Sequence, residues 1–371
     1  MSREDSGPEV GRRVEAQLSR LGRWWLGRAP WVVAGLAALF VLVKDGISFA
    51  SGNVANFYLP ASQALPSASG YYSSSIGNLA LARLLGIETV TGWLVLHGAL
   101  VVLAVALAIV LAHRSAVAPM NVLVLALLAA SATNVLPGSI GIYDPVTYAG
   151  AVLTALAKPA WLRCLGVVIM CLGNPEQALV ASICLLVLSL HPSARQWRRM
   201  AAIAVGITAV AWLIAQLWIM SSGAGSRVVV LPYLLGRSFE VTLADPWGVI
   251  WTWLGCGWLI VLALIAANRG RDRWVLLVAL VALPAAVTLV TVDGARVFGL
   301  VVLPTFLVAA GMCWRDLAAT DRLRQACVGA FIVLLVLLPT SSGGWGWLGE
   351  AVARPIVAGA DGLYHLLTGA G

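Results

Sequence analysis

Charge is scarce in this chain of 371 residues. Acidic and basic residues together make up 11% of it, against 60% hydrophobic residues. A water-soluble domain carries about 25% charged residues, and a soluble fold of this size needs a polar coat that this composition does not supply. Disordered and collagen-like classes fail on the same numbers. Other absences narrow the chemistry. The sequence has no Gly-x-x-x-x-Gly-Lys-Ser/Thr loop, no His-Glu-x-x-His helix, no paired-cysteine metal spacing, no Gly-x-Ser-x-Gly elbow and no c-type haem motif. Haem, zinc-protease and phosphate-loop ATPase readings therefore drop out. The six cysteines (Cys164, Cys171, Cys184, Cys256, Cys313 and Cys327) lie in or beside apolar runs and read as small core hydrophobes, not as a disulfide framework. The first 28 residues are polar and Arg-rich, so no removable signal peptide is expected and the first membrane helix takes that role.

What the sequence has in abundance is long apolar runs and 16 tryptophans, which suit an interfacial aromatic belt. Helices are expected near 28–50, 91–112, 120–137, 145–158, 162–173, 176–190, 200–220, 248–267, 275–291, 297–313 and 327–339. The fold class this predicts is all-α: a polytopic transmembrane helical bundle of about eleven helices. Residues 1–27 form a cytoplasmic N-terminal segment, 28–339 a single transmembrane domain, and 340–371 an extracytoplasmic tail with an amphipathic helix. The pair at 162–190 meets at Gly173-Asn174-Pro175-Glu176 and reads either as two short spans or as one re-entrant hairpin. Within the long first outer loop, 44–90, the stretch Ser75–Ile87 reads as an interfacial or re-entrant helix.

Lys and Arg set the orientation. With the N-terminus in the cytoplasm, the inner segments hold 18 basic and 7 acidic residues and the outer ones 6 and 9. Topology thus accounts for the net charge of +8, and no nucleic acid is called for.

Ionisable groups at membrane boundaries are candidates for function. Four acids come from four separate outer turns: Asp45, Asp144, Glu176 and Asp293. Convergence on one outward-facing site is one reading. Local roles are the other: Asp144 before Pro145 as a helix cap, Glu176 as a partner of a helix dipole, Asp293 with Arg296 as a structural ion pair, and Asp45 as an ordinary interfacial charge. Asp245 before Pro246 reads as a plain cap, and His97 on an apolar helix as a packing histidine.

The order of these features resembles the GT-C superfamily of integral-membrane glycosyltransferases, in particular its bacterial polyprenyl-phosphate-mannose-dependent branch. Four pieces carry the resemblance. They are Lys44-Asp45 after the first helix, the stretch Ala55-Asn56-Phe57-Tyr58-Leu59-Pro60-Ala61 followed by Gly70-Tyr71-Tyr72, the segment Asn174-Pro175-Glu176-Gln177 opening an apolar helix, and Asp293 to Pro304. Asn56 stands where the family usually has Asp, and Asn174 where it usually has Lys. The Asp-x-x-Arg turn is also similar to that of O-antigen polymerase-like proteins.

The resemblance implies a transferase in the bacterial cytoplasmic (inner) membrane. It would move a sugar from a polyprenyl-phosphate donor to a glycan or glycolipid acceptor at the outer face. Asp45 is then the first choice for the general base, with Asp144, Glu176 and Asp293 orienting the acceptor or a divalent metal, Mg or Mn. Arg83 and Arg296 are expected to hold the lipid phosphate, with Lys44, Asn56, Tyr58 and Tyr143 in the substrate site. The competing expectation is a transporter or flippase for lipid-linked glycans, which predicts broken helices, charges near mid-membrane and repeat symmetry.

Overall fold

The computed structural model describes residues 7–44, 47–65, 75–142, 144–222, 231–244, 246–288, 291, 294–316 and 321–338. Among the described residues the fold is all-helical and has no β-strand. The chain runs through α1 (Gly7–Leu26), α2 (Pro30–Lys44), α3 (51–63), α4 (Ile76–Leu84), α5 (Val90–Arg114), α6 (Met120–Ala129), α7 (Ser131–Gly138), α8 (Asp144–Leu156), α9 (Ala160–Gly173) and α10 (Pro175–Leu188). It continues through α11 (Arg198–Ser221), α12 (Leu231–Ala244), α13 (Pro246–Leu254), α14 (Gly257–Ala267), α15 (270–288), α16 (Gly294–Asp316) and α17 (Asp321–Leu337).

Helix covers each of the eleven apolar runs, but the runs are not eleven equal crossings. Among the described residues three helices are long and apolar enough to cross a membrane: Val90–Arg114, Pro192–Ser221 and Arg296–Asp316. Three bent pairs raise the number to six if each pair is one span. The pairs α1/α2, α6/α7 and α13/α14 turn by 112°, 63° and 88°. The lengths explain the difference. At 1.5 Å per residue, α8, α9 and α10, with 13, 14 and 14 residues, are each about 20 Å long, short of the ~30 Å hydrocarbon core. Residues 7–26 are helical and lie against α17, where Glu15 pairs with Arg322 at 3.1 Å and Ser19 Oγ donates to the Arg322 carbonyl at 3.3 Å. The tail 340–371 and its expected amphipathic helix lie outside the described residues.

The centre is closed by small residues. In α8 and α9 two glycines face one another. A Cβ at Gly150 would lie 2.5 Å from the Met170 nitrogen and 2.6 Å from the Gly166 carbonyl oxygen, and one at Gly166 would lie 2.7 Å from the Gly150 oxygen. Only hydrogen fits there. Such close approach maximises dispersion contacts between backbones, which is what holds helices together where burial from water offers little. α16 runs through the middle with Phe298, Val301, Leu303, Phe306, Leu307 and Ala309 all fully buried.

A smaller cluster sits at the end of the molecule where α8 begins. It joins α3 and α4 to the first turns of α5 through Val54, Leu59, Leu79, Ala82 and Trp93. Trp93 Nε1 donates to the Gly141 carbonyl at 2.8 Å. Gly141 has φ +110°, and a Cβ there would also meet Val54 at 2.8 Å and Leu94 at 2.9 Å, so both conformation and space demand glycine. Backbone bonds tie 47–50 to 137–142: Ser48 N to the Pro137 oxygen, Ile140 N to the Ser48 oxygen, and Ala50 N to the Ile140 oxygen. His97, expected to be a packing histidine, packs here, but its buried Nε2 has no hydrogen-bond partner among the described residues. It is fully buried, stacks on Trp93 at 4.7 Å, and its Nδ1 lies 3.1 Å from the Trp93 carbonyl oxygen.

Candidate functional site

Helices begin at N–H groups that have no partner inside the helix, and their aligned peptide dipoles leave positive potential at that end. In this fold four helix starts meet. A Cβ at Gly77, in the first turn of α4, would lie 2.7 Å from the Leu172 carbonyl at the end of α9. The neighbouring Gly173 is equally close to the first turn of α8, since a Cβ there would lie 2.3 Å from Thr147 Oγ1 and 2.8 Å from Thr147 N. The chain then turns at Asn174 into α10, where Asn174 Oδ1 accepts from Gln177 N at 3.1 Å. From α16, Arg296 Nη1 donates to Asp144 Oδ2 at 3.2 Å, which brings the start of α16 onto the start of α8. α4, α8, α10 and α16 therefore open around the end of α9.

The Asp144–Arg296 pair is mostly withdrawn from solvent, with side chains 10% and 19% exposed. Leaving either charge alone at such a position is costly. Near these helix starts are polar atoms with no partner among the described residues. Both amide atoms of Asn78, the hydroxyl of Ser75, Oε1 of Gln177 and Nε1 of Trp253 are buried without a hydrogen-bond partner. Trp253 belongs to this end, since its Nε1 would lie 3.8 Å from a Cβ at Gly294, and its ring stacks on Phe298 at 4.7 Å. Each orphaned polar atom costs about 1–3 kcal/mol. Several in one place mark a site whose groups are set out for something other than the fold.

The sequence-derived residues divide into three sets. Asp144, Arg296 and Glu176 are brought to this site, Glu176 by its position in the first turn of α10. Arg296 pairs with Asp144, on a helix 152 residues away in the chain, while Asp293, with which the sequence suggested a structural ion pair, lies outside the described residues. Asn56, Tyr58 and Arg83 lie on α3 and α4, and of the three Tyr58 packs on the neighbouring cluster. Asn56 is exposed. Tyr58 stacks on Trp93 at 6.3 Å. Arg83 is exposed and donates through Nη1 to the Leu65 carbonyl, which gives it a role in holding the loop. Asp45, Tyr143 and Asp293 lie outside the described residues, as does the side chain of Lys44, which ends α2. Asp245, read as a cap, lies outside them too. Asn174, where the GT-C resemblance leads one to expect Lys, is the N-cap of α10.

Sequence reasoning passed over Ser75 as a buried hydroxyl, and Asn78, Thr147 and Trp253 altogether. The signal for Asn78 was an amide inside the apolar helix Ile76–Leu84. Nothing local distinguishes Trp253 from the other tryptophans.

Among the described residues no three His, Cys, Asp or Glu side chains group as a metal site requires. The Asp144 carboxylate faces a guanidinium, which repels a cation. Asp45 and Asp293, the other acids expected to serve a metal, lie outside the described residues. All six cysteines are free.

No family model matches this chain, and neither the curated proteins nor the solved structures contain a match.

Proposed function

We propose that this chain is a multi-pass membrane glycosyltransferase, N-terminus in the cytoplasm and GT-C-like in organisation. It would take a sugar from a polyprenyl-phosphate donor at the outer face of a bacterial inner membrane. The observation that carries this reading is the meeting of four helix starts and Arg296 in a buried, partly unsatisfied polar site. Helix N-termini and a guanidinium are an anion-binding combination, and a lipid-linked sugar phosphate presents its anion at the membrane boundary.

The chemistry then follows from the groups present. Arg296, held in place by Asp144, and the N–H groups of the helix starts bind the donor phosphate. Asp144 is committed to that guanidinium and acts as its positioner. Asn78, Ser75 and Gln177 orient sugar or acceptor hydroxyls. The general base is a second carboxylate. Asp45 is the first assignment, because the stretch that follows it, 47–50, is bonded to the stretch that leads into Asp144; Glu176 is the second. The base takes the acceptor hydroxyl proton, the acceptor oxygen forms a bond to the anomeric carbon, and the bond from that carbon to the phosphate oxygen breaks. Polyprenyl phosphate leaves with the electron pair.

One observation favours a second reading. The breaks in α6/α7 and α13/α14 are what a transporter or flippase for lipid-linked glycans would have. The test is sugar transfer from a panel of radiolabelled polyprenyl-phosphate sugars by the reconstituted protein, with flipping of the same lipids measured in parallel. Transfer abolished in Asp45→Asn or Glu176→Gln supports the enzyme and identifies its base. Flipping without transfer from any donor overturns it in favour of the transporter.

A further inference from the structure

The opposite end of the molecule holds a cavity that the proposed reaction does not use. It has a volume of about 210 Å3, several times the ~30 Å3 share of one water in the liquid. Arg163 of α9 and Arg315 of α16 both line it, together with Gln196 and Trp197 of the 3-10 turn Pro192–Trp197 and the apolar Ala116 and Val117. Among the described residues no carboxylate lines it, and Asp316, next in the chain to Arg315, is exposed.

Each guanidinium donates to a backbone carbonyl. Arg163 Nε donates to the Ala157 carbonyl at 2.6 Å, and the Trp197 ring lies 4.3 Å from its central carbon. One face and one edge are thus committed, leaving Nη1 and Nη2. Arg315 spends Nη2 on the Ser193 carbonyl at 3.2 Å, leaving Nη1 and Nε. Neither arginine has an ion-pair partner among the described residues. Arg163 is half-buried, while Arg315 and Gln196 are exposed at the mouth of the cavity; an anion with several oxygens seated there accepts from both forks and offsets the repulsion between the two like charges. The Gln196 amide adds a neutral donor. Further positive charge nearby, Arg195, Arg198 and Arg199, raises the local concentration of anions.

We propose that this cavity is a binding site for a phosphate ester or phosphate anion, held by Arg163, Arg315 and Gln196. The same chemistry is offered by an anionic phospholipid headgroup and by free phosphate. The site is separate from the Asp144–Arg296 region, and the inference does not depend on the transferase reading.

The test uses the full-length protein, purified in detergent and delipidated. Native mass spectrometry measures retention of phosphatidylglycerol against phosphatidylcholine, and thermal shift measures binding of inorganic phosphate against chloride at equal ionic strength. The expected result is one retained phosphatidylglycerol, or a phosphate-dependent rise in Tm, weakened about tenfold or more in Arg315→Gln, since a charge-assisted hydrogen bond contributes about 1.5–3 kcal/mol. Gln196→Glu is the control for folding: it supplies a carboxylate that pairs with the arginines, so the protein should fold at least as well and lose the anion. Retention of phosphatidylglycerol that excess phosphate does not displace identifies a lipid headgroup as the ligand. Phosphate binding without lipid selectivity identifies the free anion. Equal binding by wild type and both variants, or no binding of either probe by wild type, overturns the proposal.

Discussion

The centre and the periphery of this molecule are built on opposite principles. In the central helix Arg296–Asp316, 89% of the most apolar stretch is buried within the molecule, against 28% for Val90–Arg114 and 22% for Pro192–Ser221. The peripheral helices are long, and their outer faces carry Val102, Leu103, Val210, Leu213, Ile214 and Leu217 in exposed positions. In water such a surface would be a large aggregation-prone patch; in hydrocarbon it is an ordinary outer wall. The central helices α8 to α10 are too short to be outer walls. They pack glycine against backbone and end in polar groups. Exposed apolar surface serves the solvent, whereas close packing places helix starts where chemistry can use them.

The contrast predicts unequal responses to substitution. The largest is expected at the glycine seam. Gly150→Val puts atoms within 2.5 Å of the α9 backbone, an overpacking that costs about 3 kcal/mol or more. Fluorescence-detected size exclusion should show no monodisperse protein. A normal profile would break the distinction between centre and periphery.

Next comes the ion pair. Arg296→Gln strands a buried carboxylate and should lower stability by about 3–5 kcal/mol, with loss of donor binding. In a double-mutant cycle with Asp144→Asn the two effects should couple by about 0.5–3 kcal/mol. Additive effects would mean that the 3.2 Å contact contributes little.

At the periphery, Leu213→Asp places a carboxylate on an exposed apolar face, at a cost of about 2.5–3.5 kcal/mol for a charge at the middle of a membrane helix. The amount of protein extracted from the membrane fraction reads this. An unchanged yield would argue that the face is wet.

Asn78→Leu should act in the opposite sense on stability. Replacing a buried, unsatisfied amide by an apolar group of similar size should raise stability by about 1–2 kcal/mol, seen as a higher Tm, while transfer falls. A lower Tm would show that the amide is structural.

The smallest effect is expected at Gly206, which has no heavy atom within 4 Å of where a Cβ would sit. Gly206→Ala should add about 0.5–1 kcal/mol of helix stability and leave activity as it was.

Much of this was legible in the chain. The apolar runs announce helices because each exceeds what a soluble helix face can hold, and the Arg-rich loops between them bear the charge asymmetry. Asp144 and Glu176 were legible as residues placed at helix starts, since Pro145 and Pro175 follow or precede them in the pattern of a first turn. The pairing of Asp144 with Arg296 was not, because local spacing pointed Arg296 to Asp293 and no short-range rule links positions 152 residues apart. Asn78 and Trp253 were hidden for a related reason. Whether an amide or an indole N–H finds a partner depends on what packs against it, and that is decided by other helices.

The sequence by itself determined an all-helical chain with an apolar exterior, because hydropathy and charge act through composition and the solvent and need no tertiary contacts. It also determined where helices can begin, because prolines and capping side chains act within one turn. Only the tertiary structure decided which helices are buried and which starts meet. That choice rests on glycines that permit backbone-to-backbone approach at a few positions, and on one charge pair joining distant parts of the chain. Both are matters of complementary shape, which no single segment contains.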